Sequence, residues 1–177
     1  LEAGCSVSLV NDHGGSILTA CCSNVSADHR MLRMIVTRAR ELDVHLDVNG
    51  RMRSRTVKWQ CIDWVFQGAV RLGLSKTHFA LDIAHDQGGT ALHQAARNGN
   101  ARQVQFLLDN GGVESLHVEN AMGHKPLSCA RLFGPHPEVE AVLEDAMRRH
   151  PPGTPQARGG CCDCRRHAQI AQEDATA

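Results

Sequence analysis

Thiols and an imidazole are concentrated near the carboxyl end of this chain, where Cys161, Cys162, Cys164 and His167 lie within seven residues. Such groups are the usual ligands of zinc, but tetrahedral zinc sites draw their ligands from two separated pairs, and no second pair lies nearby. A haem-attachment motif is excluded because Arg165, not a histidine, follows Cys164. Cys161, Cys164 and His167 are therefore only weak metal candidates, and we expect no cofactor.

The segment around these thiols, residues 151–177, is rich in Gly, Pro, Gln, Ala and charge and lacks apolar periodicity. This composition is typical of a flexible tail, and we interpret its cysteines as free thiols. An alternative is reversible S-acylation, because Arg165 and Arg166 adjoin Cys164 and would supply the second signal that stable anchoring needs. We expect contact with a membrane only if the tail is acylated. A metal-responsive tail is the remaining alternative.

The rest of the sequence contains no recognisable catalytic motif: no Gly-x-Ser-x-Gly, no Gly-x4-Gly-Lys and no His-Glu-x2-His. The 177 residues carry 19 basic and 19 acidic side chains, so net charge draws the chain neither to nucleic acid nor to membranes. We therefore expect no enzyme activity and no small-molecule substrate. Four further cysteines in apolar helical stretches are expected to be buried thiols, which favours the cytoplasm or another reducing compartment. They are Cys21, Cys22, Cys61 and Cys129.

Positive charge is concentrated between Arg30 and Lys58, where eight basic residues accompany three acidic ones. Arg51, Arg53 and Arg55 alternate along the chain, which would place them on one side of an extended segment. Guanidinium groups bind carboxylates and phosphates, so this segment fits an acidic peptide or a phosphorylated partner. A solvated loop without a partner explains the pattern equally well. Nucleic acid is disfavoured, because few aromatic residues accompany the charges.

The elements that position these arginines follow a repeat. Ser16, Thr56, Thr90 and Lys125 precede similar patterns at spacings of 40, 34 and 35 residues, a period typical of stacked repeat proteins. After Thr90, apolar residues recur at helical spacing, a glycine interrupts them, and a second helical stripe follows. The unit is therefore a short helix, a tight turn and an antiparallel helix.

The run Gly88-Gly-Thr-Ala-Leu-His-Gln-Ala-Ala-Arg-Asn-Gly99, followed by Val104-x-x-Leu-Leu-x-x-Gly111, resembles an ankyrin repeat. The resemblance is clear over residues 86–112, supported over 120–146 and weak over 1–84. It implies an all-α, ankyrin-type helix-turn-helix solenoid of about four repeats with short β-turn or finger loops. It also implies a structural role for His93, through bonds within the repeat and to neighbouring backbone. The structural motif positions are Gly88, Thr90, Leu92, His93, Ala95, Ala96, Gly99, Val104, Leu107, Leu108, Gly123, Pro126, Leu127, Ala130 and Gly134.

The repeats divide the chain into a stack over residues 1–150 and a flexible tail over 151–177. Within the stack we expect the end of a truncated repeat at 1–11 and repeats at 12–49, 50–84, 85–119 and 120–150. The unit at 50–84 is the most degenerate, because Lys58 stands where Leu92 does. The start at Leu1 leads us to expect a longer parent chain.

Ankyrin-like stacks bind partners through their finger loops and their concave first-helix face. The resemblance therefore implies a non-catalytic protein-protein interaction module whose partner is an unidentified protein or peptide, with an acidic one among the candidates. A targeting or regulatory segment of a larger enzyme or channel is the alternative. The partner-binding candidates are Arg51, Arg53, Arg55, His85, Gln87, Gln94 and His124.

Overall fold

The computed structural model describes residues 9–24 and 28–152, and every regular element within these ranges is a helix. The all-α class predicted from the sequence is therefore confirmed. The α-helices are α1 (Ile17–Ser23), α2 (His29–Glu41), α3 (Val57–Arg71), α4 (His78–Asp86), α5 (Ala91–Arg97), α6 (Ala101–Asp109), α7 (Pro126–Phe133) and α8 (Pro137–Arg149), and a 3₁₀ helix covers Gly112–His117. None of these helices is long and apolar enough to cross a bilayer.

The four residues picked out by the repeat spacing each directly precede a helix: Ser16 precedes α1, Thr56 α3, Thr90 α5 and Lys125 α7. The Ser16 hydroxyl accepts a hydrogen bond from the backbone N–H of Thr19 at 3.3 Å, which satisfies one free donor of the first turn. Lys125 makes no such bond. The helix behind it begins instead with a proline, which has no N–H to satisfy.

Three helix pairs form a stack: α1 with α2, α5 with α6, and α7 with α8. The first helices pack in the order α1, α5, α7, and the second helices in the order α2, α6, α8. Because α5 is the middle first helix, it buries six of its seven residues. The second-helix stripes predicted from the sequence are buried at Leu32, Ile35, Val36, Val104, Leu107, Leu108, Val139 and Leu143.

The segment expected to be a repeat at 50–84 differs from that expectation. Helices α3 and α4 pack on each other, while α1 packs directly on α5, so the hairpin does not separate the layers on either side. The physical reason lies in α3, whose single buried residue is Asp63. A helix without a buried apolar stripe cannot supply the two covered faces of a repeat layer. Residues 50–84 are thus an insertion between two neighbouring layers.

The insertion starts with an extended segment at residues 51–55. It contacts the loops directly before α1, α5 and α7, residues 11–15, 87–89 and 119–124, which are called the finger loops. The backbone N–H of Arg55 donates to the carbonyl of Asp12 at 2.9 Å, and Met52 exchanges two backbone hydrogen bonds of 2.8 Å with Gly88 and Gly89. Gly14 has φ +82°, and a Cβ there would lie 2.1 Å from the carbonyl oxygen of Arg53. Only glycine therefore allows this close approach of the two backbones.

Candidate protein-interaction surface

Arg53 and Arg55 lie where the alternation predicted, on the outer side of the extended segment. Both are exposed, whereas Met52, which precedes Arg53, is buried and Ser54 between the two arginines is half-buried. Within the described residues neither side chain makes a hydrogen bond or an ion pair, whereas six other arginines pair with carboxylates. These two guanidinium groups are therefore available to a ligand.

Arg51 is also exposed, but its guanidinium is held by backbone carbonyls. Its Nε donates to the Gly88 carbonyl at 3.0 Å and its Nη2 to the Glu119 carbonyl at 2.6 Å. The side chain thus links the extended segment to the loops of the next two layers. Carbonyl oxygens carry only partial charge, and within the described residues no carboxylate pairs with Arg51. Its positive charge is therefore not neutralised.

Asp63 is the residue that sequence reasoning missed. The residue is 4% exposed. Its carboxylate accepts hydrogen bonds from Ser54 Oγ at 2.5 Å and Gln87 Nε2 at 2.6 Å. The other carboxylate oxygen lies 3.0 Å from Nε2 of His13. One side chain of α3 thereby contacts three different loop segments. The available signal was an aspartate with two apolar residues on each side in the sequence, Cys61-Ile62 and Trp64-Val65. A buried carboxylate requires hydrogen-bond partners.

His85 and Gln94, both predicted as partner contacts, are buried at 3% and 2% exposure. His85 is buried against His124 and Phe133, and Gln94 is bonded to the carboxyl end of α4. Asp86 of α4 accepts hydrogen bonds from Gln94 Nε2 at 2.7 Å and from Arg97 Nη1 at 2.9 Å. The guanidinium of Arg97 also lies 5.4 Å from the ring centroid of Phe133 in α7. Side chains of α4 therefore cover part of the first-helix face at Gln94 and Arg97.

The imidazole of His85 donates its Nδ1–H to the Leu81 carbonyl at 2.7 Å. Its Nε2 atom lies 2.9 Å from Nδ1 of His124. The two rings stack with centroids 5.0 Å apart, and Phe133 packs edge-on against His85 at 5.1 Å. Burial lowers the pKa of His85 below its ordinary value, and the nearby His124 and Arg97 act in the same direction. His85 thus joins α4 to the last layer as a neutral ring.

Gln87 and His124, the remaining predicted contacts, are partly buried and serve the protein's own loops. Besides its bond to Asp63, Gln87 accepts from the backbone N–H of Ser54 at 3.4 Å through its side-chain oxygen. The carbonyl of His124 lies 3.2 Å from Nε2 of His93. Of the seven predicted contacts, Arg51, Arg53 and Arg55 are the exposed ones.

His93 bonds within its own repeat and to neighbouring backbone, in the manner that the resemblance implies. Its Nδ1 accepts from the backbone N–H of Thr90 at 3.1 Å, which leaves Nε2 protonated to donate to the His124 carbonyl. Burial lowers the pKa of His93 to about 4, so the ring is neutral at physiological pH.

The cysteines of the described residues differ in exposure according to the helix that carries them. Cys21, Cys22 and Cys129 are buried, as expected, and burial raises the pKa of the Cys129 thiol to about 12. Cys61 is exposed, contrary to expectation, because α3 lies outside the stack. The weak metal candidates Cys161, Cys164 and His167 lie outside the described residues. Residues 9–24 and 28–152 contain no cluster of three or more side chains suited to hold a metal ion.

A groove lies between α3 and the finger loops, with a volume of about 330 Å³. Arg51, Arg53, Gln60, Trp64 and Gln67 line it, together with backbone of the two following loops. Trp64 is 77% exposed. The groove therefore combines cationic, amide and aromatic groups on one accessible surface.

The middle layer of the stack matches a known protein family. The protein-family model described as ankyrin repeat matches residues 87–121, which include α5, α6 and the 3₁₀ helix. No curated protein sequence matches the chain significantly.

Proposed function

We propose that the chain binds an acidic segment of a partner protein through its finger edge, the side of the stack that carries the extended segment at residues 51–55. Residues 87–121 match the family model of the ankyrin repeat, a module that typically binds proteins and is typically non-catalytic. The observation that carries the proposal is the pair Arg53 and Arg55, exposed at that edge and without a carboxylate partner in the described part of the chain. Charge-assisted hydrogen bonds from such groups to carboxylates are about twice as strong as neutral ones.

The covered first-helix face supports the finger edge as the binding surface. Asp86 and His85 of α4 contact Gln94, Arg97 and Phe133, so a partner would have to displace α4 to reach α5. Displacement would expose a buried ion pair and apolar surface, whereas binding at Arg53 and Arg55 requires no rearrangement. The concave face is accordingly a secondary surface in this proposal.

The free thiols of the described residues support a reducing environment for this function. Cys21, Cys22, Cys61 and Cys129 are free within the described residues, and three of them are buried. Free buried thiols are common in proteins of reducing compartments, where disulfides are rare. We propose the cytoplasm or a similar compartment as the place of action.

Affinity capture with matched variants tests the proposal. The finger variant is R53S/R55S, and the control is R33S/R102S, which removes two exposed arginines from α2 and α6. Captured proteins are quantified by mass spectrometry. We expect a set of proteins that the wild type and the control recover equally and the finger variant does not. Equal recovery of every protein by all three chains would remove the finger edge from the function.

A further inference from the structure

The groove beside α3 indicates the chemistry of the partner that the proposed function requires, and its assignment rests on that proposed function. Two guanidinium groups line the groove, and a third lies at its margin. Arg51 and Arg53 line it, and Arg71 donates through Nη2 to the carbonyl of Ala121, another lining residue, at 2.7 Å. None of the three forms an ion pair within the described part of the chain.

Two of these guanidinium groups are already oriented before a ligand arrives. Arg51 is held by the carbonyls of Gly88 and Glu119, and Arg71 by that of Ala121. A side chain fixed in this way loses less rotational entropy when it binds an anion. Arg53 stays unbonded and can adjust to the ligand.

The one carboxylate that lines the groove does not cancel this charge. Asp63 is buried and accepts from Ser54 and Gln87, and His13 lies 3.0 Å from its other oxygen. Its oxygens are therefore occupied by groups of the insertion and the loops. An incoming carboxylate meets Arg51 and Arg53 in the groove and Arg71 at its margin, and no exposed acid lines the groove.

The apolar component of the groove is Trp64, which has exposed apolar neighbours on the same helix. Val57 is 73% exposed and Val65 is 57% exposed, so α3 presents apolar surface to solvent along much of its length. Exposed apolar surface rimmed by charge marks interaction sites in soluble proteins. Tryptophan and arginine are also the side chains most enriched among energetically dominant contacts at interfaces.

We infer that this groove binds a peptide segment of a partner protein in which acidic residues adjoin a large apolar side chain. The carboxylates pair with Arg51, Arg53 and Arg71, and the apolar side chain packs on Trp64. Charge complementarity selects this occupant: a basic segment is repelled, and a purely apolar one leaves three guanidinium groups unpaired as they are desolvated.

Fluorescence titration of the full chain tests the inference. The W59F variant leaves Trp64 as the single indole. The phenyl ring preserves an aromatic contact with His13, whose ring centroid lies 4.6 Å from that of Trp59. The probes are three 12-residue peptides: alternating Glu and Leu, alternating Glu and Ser, and alternating Lys and Leu. We expect the Glu–Leu peptide to shift Trp64 emission to shorter wavelength and to bind at least tenfold more tightly than the others.

The contribution of the arginines is read from matched variants in the same W59F background. R53S/R71S is expected to weaken binding of the Glu–Leu peptide by about tenfold or more, and R33S/R102S to leave it unchanged. Added salt should weaken binding, since the rim of the groove is accessible to ions. Equal binding of the Glu–Ser or the Lys–Leu peptide, or of the R53S/R71S variant, would overturn the inference.

Two further outcomes separate this inference from the proposed function. If no peptide binds while the capture experiment still shows partners that depend on Arg53 and Arg55, the groove assignment is wrong and the finger function stands. If sedimentation shows self-association that R53S/R71S abolishes, a second copy of the chain is the occupant, and the partner-peptide inference is overturned.

Discussion

The Nη1 atom of Arg97 lies 2.9 Å from Oδ1 of Asp86, and this pair joins the inserted hairpin to the middle layer of the stack. Both side chains are largely buried, with 9% and 14% exposure. Asp82 offers Arg97 a second carboxylate oxygen at 3.5 Å. Because polar side chains make these contacts between α4 and α5, we expect the position of α4 beside α5 to be sensitive to single substitutions.

Asp86→Ala should therefore loosen α4. The change removes the acceptor of both Gln94 and Arg97, and we expect a loss of about 2 kcal/mol in the free energy of unfolding, moderated by Asp82. Urea denaturation measures this loss, and amide exchange should rise in α4 more than in α7. The control is Asp109→Ala, at an exposed position of α6. Unchanged exchange in α4 would contradict a role for Asp86 in holding the hairpin.

Asp63→Ala should release α3 from the finger loops. Ser54 and Gln87 lose their common acceptor inside a buried site, which costs about 1–3 kcal/mol for each donor left unpaired. We expect faster amide exchange over residues 52–55 and α3, with little change in α7 and α8. Uniform loss of protection across all layers would instead show that the carboxylate supports the whole stack.

Acidification should destabilise the protein through its buried histidines. Burial lowers the pKa of His93 to about 4 in the folded chain, while the unfolded chain retains an ordinary value near 6.5. The unfolded state therefore binds the proton more tightly, so stability is full above about pH 6.5 and falls as pH drops towards 4. His85, whose pKa is also lowered, adds to the same trend.

Chemical denaturation at pH 7 and pH 5 measures this dependence. His93 alone accounts for a loss of about 2 kcal/mol over that interval. In His93→Gln the stability is lower at pH 7 but varies less with pH, while the exposed His45→Gln keeps the slope of the wild type. Equal slopes in wild type and His93→Gln would contradict a neutral, buried His93.

Gly14 and Gly73 form a matched pair for the close approach of the fingers. Both have positive φ, +82° and +70°, but a Cβ at Gly14 would lie 2.1 Å from the Arg53 carbonyl oxygen, and none lies near Gly73. Gly73→Ala should cost about 1 kcal/mol from backbone strain alone. Gly14→Ala should cost about 1–3 kcal/mol more, because the backbones must separate. Equal melting temperatures of the two variants would show that the approach is not required.

Thiol labelling distinguishes an insertion from a stacked layer at α3. In a chain whose cysteines at positions 5, 161, 162 and 164 are serines, Cys61 should react with maleimide in the folded state. Cys21, Cys22 and Cys129 should react only after unfolding, since they are buried and burial raises the pKa of their thiols. Peptide mapping by mass spectrometry reads each site. Protection of Cys61 would place α3 within the stack.

The sequence by itself determined where four of the helices begin and which apolar stripes of the second helices are buried. Ser16, Thr56, Thr90 and Lys125 all precede helices, and the apolar stripes of α2, α6 and α8 are buried. These features are local: a cap, a glycine and a helical period act within a few residues of one another. The exposure of Arg53 and Arg55 followed from the same short-range alternation.

Only the tertiary structure decided which helices are neighbours. The even spacing suggested that 50–84 was another layer, yet α1 packs on α5 and the hairpin lies to one side. The pairing of His13, Ser54 and Gln87 with Asp63, and the burial of Gln94 beneath Asp86, join residues far apart in sequence. Such contacts depend on which of several distant surfaces covers an apolar face most favourably. A local sequence pattern does not determine that choice.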